Sequence, residues 1–312
     1  MQERIRGVLS PVVTPFQRDL SPDRERFAAH CQWLLAQGVS GLAIFGTTSE
    51  ANSLSVAERI SLFDGLLEDG IPAARLMPGT GCCALSDSVE LTRHAVSAGA
   101  AGVLMLPPFY YKGVSEEGVF RNYAEIVERV HDPRLRIYLY HIPQVSQVPI
   151  TIPLIQRLRA AYPGAIAGIK DSSGDPANLR ALLDAFAGTD FDVFPGSELL
   201  LLEGLRHGGV GCITATGNVN PGPIAALCRD WRGADADRQQ ANLDATRRVL
   251  QSFPMVPAVK ATIAHYSNDD AWSRVRPPLV ELDAGQRTQL VSQLDALGFA
   301  MPGIAWPPEA RR

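Results

Sequence analysis

Residues 165–173 read Ala165-Ile166-Ala167-Gly168-Ile169-Lys170-Asp171-Ser172-Ser173, an apolar run interrupted by one glycine and ended by a lysine. The run is too short for a helix and turns polar directly after Lys170. That is the pattern of a fully buried strand delivering one side chain to the loop at its C-terminal end. The chain has three lysines, Lys112, Lys170 and Lys260, among 29 basic residues. Where arginine carries nearly all the positive charge, a lysine kept at a strand end suggests work arginine cannot do. Arginine does not deprotonate and so cannot attack a carbonyl, whereas a lysine amine in a desolvated pocket can. The competing reading of this segment alone is an ordinary strand-end lysine reaching for solvent.

Working outward from this strand, seven further apolar segments alternate with amphipathic stretches. On the N-terminal side they are Val8 to Phe16, Gly41 to Gly46, Arg75 to Gly81, Gly102 to Pro108 and Arg136 to Pro143; on the C-terminal side, Phe191 to Gly196 and Val210 to Thr216. Helix-start signals fall between them: Ser21-Pro22, the capping-box spacing of Ser55 and Glu58, Thr151, and Asp175-Pro176. Eight units of roughly even length predict a (β/α)8 TIM barrel over residues 1–220 in preference to a doubly wound sheet. From Pro221 the strand pattern stops, so residues 221–312, ending in Trp306-Pro307-Pro308 and a charged tail, are expected to form a helical extension packed on the barrel. No linker, low-complexity tract or internal repeat separates the two regions.

A chain of 312 residues, 46% hydrophobic with a net charge of −4, can bury a large core and offers no basic patch for nucleic acid or an anionic membrane. Met1 to Val13 does not read as a signal peptide, and no stretch has the length of a membrane span. The five cysteines, Cys31, Cys82, Cys83, Cys212 and Cys228, lack C-x-x-C spacing and fit free thiols in the cytoplasm. The six histidines are scattered without metal-ligand spacing, so neither a metal nor a cofactor is expected. Gly79-Thr-Gly81-Cys-Cys-Ala84 matches a dinucleotide-loop spacing, but the next strand ends in Pro107-Pro108-Phe109 with no acidic residue to hold a ribose.

In a barrel of this kind every strand end faces one mouth. The ends carry Gly46-Thr47-Thr48, Pro108-Phe109-Tyr110-Tyr111, Tyr140-His141, Lys170-Asp171, Gly196-Ser197-Glu198 and Ile213-Thr214. Lys170 with Tyr140 suits imine chemistry, in which an amine attacks a ketone and a phenol moves the proton. Thr47 and Thr48 sit on a tight loop before a helix, where backbone N–H groups and hydroxyls can hold a carboxylate. Each feature alone also has an ordinary structural reading, as a strand aromatic or as turn chemistry.

Taken together, Gly46-Thr-Thr-Ser-Glu50, Pro107-Pro-Phe-Tyr-Tyr-Lys112, Tyr140-His-Ile-Pro143 and Gly168-Ile-Lys-Asp-Ser172 resemble the dihydrodipicolinate synthase / N-acetylneuraminate lyase family over essentially the whole chain. The resemblance implies a metal-independent class I aldolase acting through pyruvate or another 2-keto acid, assembled as a homotetramer, a dimer of dimers. It implies that Lys170 forms the Schiff base, that Tyr140 shuttles protons, and that Thr47 and Thr48 bind the keto-acid carboxylate, with Gly46 in the same loop. It further implies that Tyr110 completes the relay from a neighbouring subunit and that the backbones of Gly196 and Ile213 line the pocket.

Two departures from the family pattern bear on function. Ser49 stands where the loop usually has a second glycine, which costs little if φ stays negative. Val145 stands where the synthases carry an arginine that holds the carboxylate of the aldehyde substrate. An apolar side chain cannot act as a bidentate clamp. The expectation is therefore retro-aldol cleavage of a 2-keto-3-deoxy sugar acid or other 4-hydroxy-2-keto acid to pyruvate and an aldehyde, with Glu198 holding substrate hydroxyls. The alternatives are a dehydratase working through the same imine, a 4-hydroxy-tetrahydrodipicolinate synthase, which Val145 disfavours, and a non-catalytic 2-keto-acid-binding barrel.

Overall fold

A computed structural model of the chain describes residues 4–304; the Trp306-Pro307-Pro308 segment lies outside them. Among the described residues seven strands are formed: β1 (Gly7–Ser10), β2 (Gly41–Leu42), β3 (Val103–Met105), β4 (Ile137–His141), β5 (Ile166–Asp171), β6 (Asp192–Pro195) and β7 (Gly211–Ile213). They make two all-parallel ladders, β2-β1-β7 and β3-β4-β5-β6. Residues 77–80 join the ladders on one side. Met77 and Gly79 donate to Leu42 and Ile44 at 2.9 and 2.7 Å, while Leu104 donates to Pro78 and Thr80 donates to Leu104 at 2.9 and 3.0 Å. On the other side Val210 N–H reaches the Val193 carbonyl at 3.1 Å. The result is a closed ring of eight parallel segments, a (β/α)8 barrel.

The third expected strand, Arg75 to Gly81, is therefore present only as isolated bridges, Leu42 to Leu76 and Gly79 to Leu104. A 3-10 turn takes its start at Ala73–Arg75, and Pro78 has no N–H for a regular ladder. The two glycines of the dinucleotide-like spacing serve barrel closure. A Cβ on Gly79 would lie 2.0 Å from the Phe45 carbonyl oxygen, and one on Gly81 2.3 Å from Leu106 N.

Helices follow the strands: α1 (Arg24–Ala36), α2 (Val56–Glu68), α3 (Leu85–Ser97), α4 (Glu116–Val130), the short α5 (Pro143–Ser146), α6 (Ile152–Ala161), α7 (Pro176–Ala185) and α8 (Leu201–Arg206). Beyond β7 come α9 (Pro221–Asp230), α10 (Ala236–Gln251), α11 (Met255–Ser267) and α12 (Ala284–Ala296). Helix α2 opens on the expected capping box, with Ser55 Oγ accepting from Glu58 N–H and Glu58 accepting from Ser55 N–H. Helix α1 starts later than Ser21-Pro22 suggests, because the Asp23 carboxylate accepts from Arg26 N–H at 3.0 Å and so becomes the cap. No helix among the described residues is long and apolar enough to cross a membrane.

The parity of β4 and β5 aims the central side chains. On β4, Ile137 and Leu139 pack outward with helix residues such as Leu154 and Leu158, while Tyr138 and Tyr140 fill the barrel interior with Leu9, Met77, Leu104 and Phe194. Each fully buried side chain of this size contributes about 1.5–3 kcal/mol. On β5 the outward residues Ile166 and Ile169 are three apart, which strict alternation forbids. The ladder slips between Ile137 and Tyr138, pairing Ile137 with Ile166 but Tyr138 with Gly168, so Ala167 is the extra residue of a β-bulge. After the slip Lys170 lies opposite Tyr140, on the interior side. Gly168 is required there, since a Cβ would sit 2.7 Å from the Tyr138 ring.

One apolar cluster runs from barrel residues such as Val8, Phe27 and Leu42 into Leu243, Leu250, Val259, Trp272 and Leu290 of the C-terminal helices. His30 lies within this region, fully buried, with Nε2 3.2 Å from Asn218 Oδ1. Burial lowers its pKa from 6.5 to about 3. The unfolded chain therefore takes up this proton first as pH drops below 6.5. The contribution of His30 is complete above that pH and is expected to fall by on the order of 4 kcal/mol as pH drops towards 3. Urea unfolding at pH 7 and at pH 4 should show this slope in the natural protein and a shallower one in His30→Gln.

Candidate active site

The C-terminal ends of the strands open into a cleft of about 550 Å³. Lys170, only 4% exposed, projects its Nζ 4.3 Å from the centroid of the Tyr140 ring. The Tyr140 hydroxyl donates to Thr47 Oγ1 at 3.3 Å. An amine stacked on a phenol ring and that phenol's bond to a threonine hydroxyl are thus brought together at the cleft, and Thr48 borders the same space.

The loop that presents the two threonines is tightly determined. It is bounded by two non-glycine residues in the left-handed region, Phe45 at φ 60° and Glu50 at φ 56°. Such backbone costs of order 1–3 kcal/mol per residue and persists only where the surroundings hold it. Ser49 is not one of the positive-φ residues; its Oγ accepts from Gly46 N–H at 3.2 Å and its carbonyl accepts from Thr14 Oγ1 at 2.7 Å. The serine thus ties the loop internally where a glycine would leave it looser. Gly46, four residues beyond β2, lies beside a small cavity that Thr47 and Tyr140 also border.

Other expected residues fall in different places. Gly196 is on the cleft wall; its N–H donates to the Asp171 carbonyl at 2.7 Å, and a Cβ there would strike Ser172. Ile213 is wholly buried in the barrel interior and does not border the cleft; Ala215 does. Glu198 is not on the wall either. Ser197 caps a 3-10 turn that carries Glu198 inward to 1% exposure, where its carboxylate accepts from the hydroxyls of Thr214 and Thr216. Val145, 57% exposed on α5, does not border the cleft. Its neighbour Gln144 does, donating through Nε2 to the Ser172 carbonyl at 2.6 Å. Tyr110 is 73% exposed, packs edge-on against Tyr111 and takes no part in this chain's cleft. His141 is a tethered structural residue, Nδ1 accepting from Ile150 N–H at 3.1 Å; burial lowers its pKa, partly opposed by the charge of Asp171.

The C-terminal helices add residues that strand-end reasoning does not reach. Arg247 of α10 borders the cleft with Gln251, Met255 and Val256. Its Nη1 lies 3.4 Å from Glu198 Oε2 and 3.2 Å from Thr214 Oγ1, while its buried Nε has no hydrogen-bond partner among the described residues. The buried Glu198 thus acts as the arginine's anchor, and a guanidinium borders the same cleft as Lys170.

Comparison with known proteins settles the family. Residues 4–297 match the model of the dihydrodipicolinate synthetase family. The chain belongs to this family. An uncharacterized DapA-like lyase of Chloroflexus aurantiacus is 34% identical over 279 residues, covering 89% of this chain and 92% of that protein. The dihydrodipicolinate synthase of Agrobacterium tumefaciens superposes with a TM-score of 0.87 at 31% identity, covering 93% of this chain and 99% of that one. YagE of Escherichia coli K12, a prophage protein of the same family whose structure holds pyruvate, superposes with a TM-score of 0.85 at 29% identity, covering 95% and 99%. This member of the dihydrodipicolinate synthetase family is accordingly an enzyme, a lyase of the class I aldolase type.

Proposed function

We propose that this family member cleaves a 4-hydroxy-2-keto acid, such as a 2-keto-3-deoxy sugar acid, to pyruvate and an aldehyde. The observation that carries the reading is the grouping of Lys170, Tyr140 and Thr47 in the cleft, the amine over the phenol ring and the phenol bonded to the threonine. The neutral amine of Lys170 attacks the C2 ketone, and loss of water leaves an imine whose protonated nitrogen accepts electrons. The Tyr140 oxygen, its proton passed to Thr47, takes the proton of the C4 hydroxyl; the C3–C4 bond breaks, releasing the aldehyde and leaving an enamine. Protonation at C3 and hydrolysis of the imine then free pyruvate and Lys170. Thr47, Thr48 and the loop N–H groups hold the C1 carboxylate, and the backbone at Gly46 and Gly196 shapes this end of the cleft.

Tyr110 completes the relay from a neighbouring subunit in this reading. Its large exposed ring supports that role, and the assembly is a homotetramer built as a dimer of dimers. Five free cysteines support a reducing, cytoplasmic setting. No cofactor is assigned.

The test is intact mass after incubation with pyruvate and borohydride, followed by a screen of 2-keto-3-deoxy acids for pyruvate release. A reduced pyruvate adduct on Lys170 with cleavage of such an acid is the expected result; no adduct on the folded protein would overturn the reading.

A second reading, the synthase reaction that joins pyruvate to an amino-dicarboxylate semialdehyde, gains support from the Arg247 guanidinium. It stands in the cleft although position 145 carries no arginine. In both readings Arg247 takes the polar far end of the substrate. Arg247→Met is expected to raise KM for the whole substrate about 10- to 100-fold, the worth of a hydrogen bond to a charged group. Half-saturation by pyruvate alone should stay within twofold. Steady-state kinetics with both ligands check this, and the identity of the turned-over substrate separates the two reactions.

A further inference from the structure

Behind the Thr47–Thr48 loop lies a buried ion pair that the proposed chemistry does not use. Lys260 of α11 is 0% exposed; its Nζ donates to Glu50 Oε1 and, at 2.7 Å, to the Arg274 carbonyl, and it sits 4.3 Å from the centroid of the Phe16 ring. The other oxygen of Glu50 accepts from Arg276 N–H at 2.9 Å. The Glu50 backbone closes the loop itself, since its N–H donates to the Thr47 carbonyl at 3.1 Å. One residue held in a left-handed conformation is thus gripped on its side chain by the C-terminal region and on its backbone by the threonine turn.

A well-packed apolar pair would serve stability as well or better, because charges taken out of water seldom repay their desolvation in full. What an apolar pair cannot do is fix direction, and direction matters in a loop whose hydroxyls must meet a carboxylate within a few tenths of an ångström. We propose that the Glu50–Lys260 pair is a positioning device that transmits the placement of the C-terminal helices to the Thr47–Thr48 turn and so sets affinity for the keto-acid carboxylate. This rests on the function proposed above. The charges facing Lys260 are those of Glu50, Glu281 and Arg276, and burial lowers its pKa from 10.5 to about 8 against the pull of Glu50.

The test uses the full-length chain and pyruvate as probe. The pyruvate concentration giving half-maximal borohydride trapping, the turnover at saturation and the thermal midpoint are measured for the natural protein, Lys260→Met, Glu50→Asp and the double variant Glu50→Gln/Lys260→Met. The double variant removes both charges, so it is the one expected to fold without an orphaned ion. Half-saturation is expected to rise about tenfold in Lys260→Met and the double variant, and about threefold in Glu50→Asp, with saturated turnover within about threefold of the natural protein. Half-saturation within twofold of the natural value in the folded Glu50→Asp and double variants would make the pair purely structural and overturn the proposal. Absence of any Lys170 adduct in the natural protein would instead overturn the proposed function, and this inference with it.

Discussion

Replacing Lys170 by alanine is expected to abolish the borohydride-trapped adduct and to reduce turnover by a factor on the order of 10^4 or more, the scale on which loss of a covalent nucleophile is felt. Lys170→Arg should be equally inactive although it keeps the positive charge, because a guanidinium does not deprotonate and cannot become an imine. That comparison separates covalent catalysis from electrostatic binding. Both variants should fold, since among the described residues Lys170 makes no ion pair that would be left unbalanced; the amine lies over the Tyr140 ring. Intact mass after pyruvate and borohydride, read beside a thermal melt, checks both halves of the expectation. An undiminished rate in either variant would remove the imine from the mechanism.

Tyr140→Phe is expected to lower the saturated rate by about 10^2 to 10^4, the usual worth of a positioned general acid–base group. The ring fills the barrel interior and remains in the variant, so the structural cost is the single bond to Thr47, roughly 1 kcal/mol. Because Lys170 is untouched, the adduct should still form, more slowly and at full stoichiometry. Stopped trapping against time, compared with steady-state cleavage, distinguishes this from the Lys170 variants: adduct retained, turnover lost. Thr47→Val should move in the same direction by less, because Tyr140 keeps its place without that acceptor.

The parts of this protein legible in its sequence are those that depend on local signals. An apolar run ending in lysine, the Thr47-Thr48 turn and Tyr140 all sit where a strand stops, and a barrel sends every strand stop to the same mouth. Capping chemistry placed α2 at Ser55 and α7 at Asp175 for the same reason. What escaped depends on contacts distant in the chain. Amphipathic spacing says that α10 buries a face but not what that face meets, so Arg247 looked like one arginine among many. Read as a strand-end residue, Glu198 belongs in the cleft; in the structure the Ser197-capped turn carries it inward, off the cleft lining. Family position puts residue 145 near the substrate, yet Val145 is exposed on the short α5 and does not border the cleft. The broken third strand followed from Pro78, visible in the sequence but outweighed by the apolar residues around it.

The extra residue Ala167 in β5 has a wider meaning. It acts as a phase setter. Were Ala167 taken into the regular ladder instead of bulged out of it, the alternation that sends Ile166 towards the helices would turn Lys170 outward, away from Tyr140. The floor of the barrel, usually thought of as scaffolding, therefore decides which way the nucleophile faces at the mouth several residues away. In evolutionary terms the stability half and the catalytic half of this barrel are not free to diverge independently. In design terms, transplanting the active-site tips of these strands onto another barrel would fail unless the irregularity beneath them travelled too.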